Sequence, residues 1–419
     1  MKISQQEKSL LRELAKQYAE LTALPIQKER YLRGRDINDL KQRRPMVWLD
    51  EIPWHEINVN DELTLVCQDE AARNMETFFR RSLYRWKHIQ GDMVVENVYS
   101  IPKHYSSTGM GVRVREHVLS NDDKNHIISH SYLDQLDNME KVNALRMPVI
   151  TAHPETDKEC LDWANNILDG ILPVRLQGHS VYHAPWDQIP RYRGVTQVLE
   201  DLAYEPEFTH TIMRKFTDSA RATFAQMEDL GLFDSDISNV HCTPPYVSDF
   251  GTGVGHLDVP IQPESALMKR VWFRAMAQLF TEVSPQMFEE FELDYVKPLM
   301  ADFGLVYYGC CEALDNKIQA LKTIPNLRKI GISPWANAEV CAAQIGKDYV
   351  FAHKPNPAHV SGSFDEDATR KEIMQIIEVC QKYGCPYEFV LKDISTVTYK
   401  PQNLMDWVTT VKDVIDGYY

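Results

Sequence analysis

A chain of 419 residues with 44% hydrophobic and 25% charged residues has the balance of a globular protein and ample length to bury a core. Its formal net charge is −15 and it contains no run of five or more Lys/Arg, which argues against nucleic acid as a partner. The polar start, Met1 to Lys8, lacks the apolar heart of a signal peptide, and no stretch approaches the roughly 20 apolar residues of a membrane span. A cytoplasmic protein with no membrane partner is expected, with its eight cysteines reduced.

In chain order, Gln5–Leu21 places Leu10, Leu11, Leu14 and Tyr18 at helical spacing, so residues 1–44 are expected to form an N-terminal helical extension. From Pro45 onward short apolar segments alternate with longer amphipathic ones, the pattern of an α/β protein with a parallel sheet. The predicted strands are Pro45–Asp50, Met93–Ile101, Val174–Tyr182, Ile237–Cys242, Leu305–Gly309, Lys329–Ser333, Tyr349–His353 and Glu388–Leu391. Eight such strands suit a closed (β/α)8 TIM barrel over residues 45–419, with Val112–Val118 as an extra strand in the connection after the second. Ser284–Phe303 reads as a helix capped by Ser284, opened by Pro285 and kinked at Pro298, and Asp365–Tyr383 as another that ends at Gly384.

Ligand-facing groups in such barrels gather just past the carboxyl ends of the strands. After the first strand, Glu51, Trp54 and His55 crowd one loop and are candidate substrate contacts; a packed surface loop explains them equally well. The third strand brings His179 and His183, the first a candidate catalytic group and the second a substrate contact, although barrel histidines are more often structural. The fourth brings His241, Cys242 and Tyr246; His241 and Cys242 are neighbours on an extended strand, so one of them is expected to face the site. The Gly-rich Asp249–Gly255 that follows is read as a lid or a simple connection, not a phosphate loop. The fifth strand leads from Tyr308 into Cys310, Cys311 and Glu312, two thiols and a carboxylate able to hold a metal, act as nucleophile or move protons. The seventh gives His353, and the eighth gives Lys392 and Asp393, which serve chemistry or pair with each other.

These strand-end segments, in this order, resemble the superfamily of uroporphyrinogen decarboxylase and the cobalamin- or thiol-linked methyltransferases. The stretch SPQMFEEFELDYVKPLMADFGLVYYGCCE looks like the family's helix and strand leading into a His-x-Cys-Gly type motif, and FAHKPNPAHVSG and YEFVLKDISTVTYKPQNL resemble its strand-7 and strand-8 segments. The Arg-Gln-Ala-Gly-Arg-Tyr loop of true decarboxylases is replaced by Asp50-Glu51-Ile52-Pro53-Trp54-His55, whose acidity disfavours a polycarboxylate porphyrinogen. Cys311 matches the motif cysteine, but Gly309 stands where the histidine is expected and Lys392–Asp393 occupies the region of the distant cysteine.

The resemblance implies a methyltransferase that moves a methyl group between a small-molecule donor and a corrinoid on a partner protein or another acceptor. It also implies Zn²⁺, here from a rebuilt set drawn from Cys310, Cys311, Glu312, His353 and Cys242 or His241. Relatives include dimers, so a homodimer is among the expected assemblies. Two competing readings are a cobalamin-independent decarboxylase or lyase using His179, His241, Lys392 and Asp393, and a catalytically inactive binding subunit.

Overall fold

The computed structural model describes residues 3–119, 129–234, 240–250 and 267–419. The chain opens with two helices, α1 (Gln5–Thr22) and α2 (Pro25–Asn38). Ser4 and Glu7 start α1 with a capping box: the Ser4 hydroxyl accepts from the Glu7 amide at 3.2 Å, and the Glu7 carboxylate accepts from the Ser4 amide at 3.1 Å. Leu11, Leu14 and Tyr18 then bury one face of α1 against Phe78 and Phe79 of α3 (Glu70–His88).

Nine short strands build the core: β1 (Met46–Leu49), β2 (Tyr99–Pro102), β3 (Val174–Gln177), β4 (Val181–His183), β5 (Trp272–Ala275), β6 (Leu305–Tyr308), β7 (Leu327–Ile332), β8 (Val350–His353) and β9 (Tyr387–Leu391). Seven form one parallel sheet in the order β1-β9-β8-β7-β6-β5-β4, and β2 pairs in parallel with β3. The segment expected as one strand over Val174–Tyr182 is thus broken at Gly178–Ser180, its first half pairing with β2 and its second with β5. The arrangement is consistent with a TIM-barrel-like fold, but the expected closed barrel is not formed among the described residues. No ladder joins β1 to β2.

At that seam one side chain does the work of a strand. Asp92 donates its own amide to the Val47 carbonyl at 2.8 Å, and its carboxylate accepts from the Val47 amide at 2.8 Å. The same carboxylate holds Arg33 of α2 at 2.6 Å, so the N-terminal helices are tied to the first strand through one buried charge. Gly91 lets the backbones meet there, since a Cβ at that position would lie 2.9 Å from the Val47 carbonyl oxygen.

Several other expectations shift. The strand expected at Ile237–Cys242 is not found: residues 237–239 lie outside the described ones, and His241 and Cys242 take left-handed backbone angles that no strand contains. Its place in the sheet belongs to β5, whose central Arg274 disguises an otherwise apolar run. The expected extra strand at Val112–Val118 begins only at Glu116 and pairs, as Glu116–Leu119, with Ser129–Tyr132 in an exposed hairpin. Ser284 caps the Pro285 helix as expected, and the run continues through a π-turn at Glu289–Leu293 to Met300. The Gly-rich residues 251–255 lie outside the described ones. Later helices are α4 (Pro206–Asp229) and α5 (Glu366–Tyr383), the latter capped by Asp365 and ended by Gly384 at φ 73°. Among the described residues no helix is long and apolar enough to cross a membrane.

Removing the Asp92 carboxylate leaves the Val47 amide without its acceptor and takes from Arg33 its buried partner, leaving it the more exposed Glu29 at 3.5 Å. Asp92→Ala is therefore expected to lower the unfolding free energy by about 3 kcal/mol. Urea unfolding checks this as a lower midpoint at unchanged slope, with Asp92→Asn falling between the variant and the wild type.

Candidate functional site

Strand alternation sorts the candidates into two faces. Tyr182 of β4, Arg274 of β5, Tyr307 of β6 and Lys329 of β7 are neighbours in register and line the inside of the strand ring. Their chain neighbours point the other way: His183 packs edge-on against Phe224 and Phe273, and the Tyr308 hydroxyl donates to Glu292 at 3.0 Å. Inside the ring Lys329 is paired with Glu388 at 2.7 Å, both 1% exposed, and both contact the Thr243 hydroxyl.

Above this layer β6 ends in Gly309, at φ +92°, where a Cβ would come 2.4 Å from Leu314 Cδ1 and 2.8 Å from the Gly331 carbonyl oxygen. The position that carries histidine in the resembled motif has no room here for a side chain. The turn that follows presents Cys310 inward. Glu312 fixes it: its carboxylate, 1% exposed, accepts from the amides of Cys310 at 2.9 Å and Ala277 at 3.1 Å. Burial pushes the Glu312 carboxyl up, and its two hydrogen-bonded oxygens make it an anchor of the turn.

Three side chains meet the Cys310 sulfur. Lys392, just past β9, donates to it at 3.2 Å; His241 Nε2 lies 3.5 Å away, and the Cys311 sulfur 3.4 Å. Lys392 also donates to both oxygens of Asp393 at 2.9 Å, and the Cys311 thiol donates to Asp393 at 2.9 Å. From the end of β1, Glu51 accepts from the Asp393 amide at 2.9 Å and lies 3.4 Å from Lys392. Eight non-glycine residues among those described have positive φ, and four of them are Glu51, His241, Cys242 and Asp393. Left-handed backbone costs about 1–3 kcal/mol per such residue and persists where surroundings enforce it, so half of the strained non-glycine positions are gathered at this constellation.

The electrostatics separate the two thiols. The proton shared with Cys311, together with Arg274, Lys392 and Lys354, brings Cys310 down to about 6. Cys311, facing that thiolate and Asp393, is pushed up and keeps its proton. Burial and the same three cations drive His241 far down, so its imidazole is neutral at physiological pH. Cys242 is pushed up by burial and by the acidic Asp50 and Glu51.

Two groups of donors here have metal-ligand character: Cys310, Cys311 and Asp393, and Glu51, His241 and Cys242, the ligand atoms within each lying within 4.8 Å of one another. Zinc bonds of about 2.0–2.3 Å in a tetrahedron imply donor separations of about 3.3–3.8 Å. The Cys310–Cys311 separation (3.4 Å) falls in that range, that of Cys311 from Asp393 (2.9 Å) is shorter, and His241 approaches Cys310 (3.5 Å) from the second group, so Cys310, Cys311 and Asp393 offer three donors of zinc-type chemistry rather than a complete tetrahedral set.

The remaining expected residues lie elsewhere. Glu51, Trp54 and His55 line a cavity of about 650 Å³ with Arg80 and Arg81, the Arg81 guanidinium resting 4.9 Å above the Trp54 ring. His179 and His183 line a second cavity of about 330 Å³ against α4, where burial lowers His183 to about 4. His353 turns outward to Glu372 of α5 at 2.9 Å, away from the thiols. Tyr246 is buried against Tyr31 of the N-terminal helices and bonds Glu96 at 3.3 Å. Sequence reasoning missed Arg274, Tyr307, Lys354 and Tyr182; the usable signal was a charged residue inside the apolar run Val271-Trp272-Phe273-Arg274-Ala275-Met276-Ala277.

No family model matches the chain, and no curated protein does. Among solved structures, a methyltransferase from Methanosarcina mazei is similar at 10% identity, with 93% of this chain and 99% of that chain covered and a TM-score of 0.49.

Because Cys310 is depressed from its ordinary value, its thiolate fraction rises through pH about 6 and is nearly complete by pH 8, whereas an ordinary thiol is still mostly protonated at pH 7. Alkylation of Cys310 by iodoacetamide, followed by peptide mass spectrometry, should show that midpoint. Lys392→Met removes the cation in contact with the sulfur and is expected to move the midpoint above about pH 7.

Proposed function

We propose that this chain is a methyltransferase centred on the Cys310 site, acting on a small methyl donor. The observation that carries the reading is the set of contacts on the Cys310 sulfur: an ammonium at 3.2 Å, a neutral imidazole at 3.5 Å and a protonated thiol at 3.4 Å. A sulfur held as thiolate at the carboxyl ends of parallel strands is suited to soft electrophiles, a methyl carbon or a soft dication. The motif resemblance points to the same class, and it is what supports a corrinoid on a partner protein as the acceptor.

In this reading Cys310, Cys311 and Asp393 would hold Zn²⁺, which would supply Lewis-acid polarisation of the donor heteroatom when bound. The chain's own residues perform the rest. Lys392 keeps Cys310 unprotonated and balances the Asp393 charge, while Glu312 fixes the Cys310 backbone. Glu51 links this centre to the cavity lined by Trp54 and His55, whose volume of about 650 Å³ suits a small organic donor.

Methyl transfer from a panel of O- and N-methyl compounds to cob(I)alamin, followed by absorbance, tests the reading alongside zinc content by mass spectrometry. Cys310→Ser should fall to background and Lys392→Met should lose roughly 10–100-fold. Wild-type turnover in Cys310→Ser would remove the thiolate from the mechanism. Full turnover in zinc-free protein would remove the metal and leave the sulfur.

A further inference from the structure

Four cations are buried inside the strand ring, and among the described residues two of them have a counter-charge in contact. Lys329 is paired with Glu388, and Lys392 with Asp393 and Cys310. Lys354, the residue after β8, is 3% exposed, yet among the described residues its ammonium has no ion-pair partner, and the acceptor beside it is the neutral Tyr307 hydroxyl. Arg274 is 1% exposed and spends its terminal nitrogens on the carbonyls of Ala275, Tyr307 and Gly309, leaving Nε–H without an acceptor. The two unmatched groups bracket one ring: Arg274 Cζ stands 4.1 Å and Lys354 Nζ 5.3 Å from the centroid of Tyr307. Both also belong to the cations that hold Cys310 as thiolate.

A buried ammonium without a counter-charge in contact is strongly unfavourable, and protein interiors rarely retain one unless something else completes it. No described carboxylate does so here. An ammonium and a guanidinium N–H beside a thiolate offer donors for two oxygens of one monoanion, and the local potential attracts negative charge.

We propose that Lys354, with Arg274 beside it, binds a carboxylate of the substrate, so that the molecule whose carbon meets the Cys310 sulfur is a small carboxylic acid. This rests on reading Cys310 as the reacting centre. A neutral analogue would leave Lys354 without a counter-charge, which makes Lys354 a specificity-determining residue and not only a source of potential.

Two alkylating agents of nearly equal size separate the cases, because iodoacetate carries a carboxylate where iodoacetamide carries an amide. With either one the Cys310 thiolate attacks the methylene carbon, the sulfur–carbon bond forms, and iodide leaves with the electron pair of the broken carbon–iodine bond. The readout is the ratio of the two rate constants at Cys310, measured above pH 8 by peptide mass spectrometry. Being a ratio, it is unaffected by the thiolate fraction and requires no methyl transfer, so its failure and that of the methyltransferase reading are distinguishable.

The ratio of iodoacetate to iodoacetamide is expected to exceed that for glutathione, to fall by about tenfold or more in Lys354→Met, and to be largely kept in Lys354→Arg. Acetate should slow iodoacetamide labelling of Cys310 in the wild type but not in Lys354→Met. A wild-type ratio no higher than that of glutathione, or the same ratio in Lys354→Met, overturns the proposal. Should the methionine variant fail to fold, the glutathione comparison and acetate protection on the wild type decide it alone.

Discussion

Burying positive charge inside a ring of parallel strands is the constraint to which the rest of this molecule answers. Arg274, Lys329, Lys354 and Lys392 are each 3% exposed or less, and an interior that strips them of water must return the lost interaction from fixed groups. Glu388 and Thr243 do this for Lys329 in the lower layer. Toward the strand ends the matching groups are Asp393 and the Cys310 sulfur, and the match works by ionising the thiol. The charge that lowers the Cys310 thiol is thus charge the fold had to neutralise.

The scaffold around this layer is built to hold turns that strands alone would not supply. The residues His241 and Cys242 reach the site on a non-strand segment whose carbonyls at Pro244 and Tyr246 accept from Asn38 at the end of α2, at 2.9 Å each. That helix is in turn fastened to β1 through Arg33 and Asp92. The N-terminal helices thus act on the site at a distance, by fixing a left-handed turn that carries two of its ligand-type side chains. Gly309 plays the complementary part on β6, where the close approach of Gly331 excludes any side chain and leaves the sulfur of Cys310 as the first group to enter the mouth.

The cavities flanking the site differ in what they offer. The one beside Glu51 carries aromatic and cationic walls, in direct continuity with Lys392 and Asp393 through one oxygen of Glu51, Oε2. The one behind β4 sits on the outer face of the sheet, where burial holds His183 neutral between two phenyl rings. Histidine proximity in sequence thus divided between two unrelated environments: His179 and His183 belong to the helical layer, while His241 meets the thiols.

Much of the architecture was legible in the residues themselves. Helical spacing located α1, Ser284 and Asp365 announced the helices that follow them, and Cys310-Cys311 with Lys392-Asp393 drew attention as titratable groups directly after apolar strands. Local sequence reports these because propensity, capping and apolar runs are local properties. Which neighbour faces inward is not local: Tyr307 rather than Tyr308, Lys354 rather than His353, and Glu312 as an anchor rather than a ligand follow from register and from the turn at Gly309, which exist only once the strands are paired. β5 escaped notice for the same reason, since an arginine interrupts an apolar strand only until the ring gives it an interior to occupy. The sequence by itself determined the elements and the chemical groups at their ends, while the tertiary structure decided which of those groups share a potential, because charge acts through space and not along the chain.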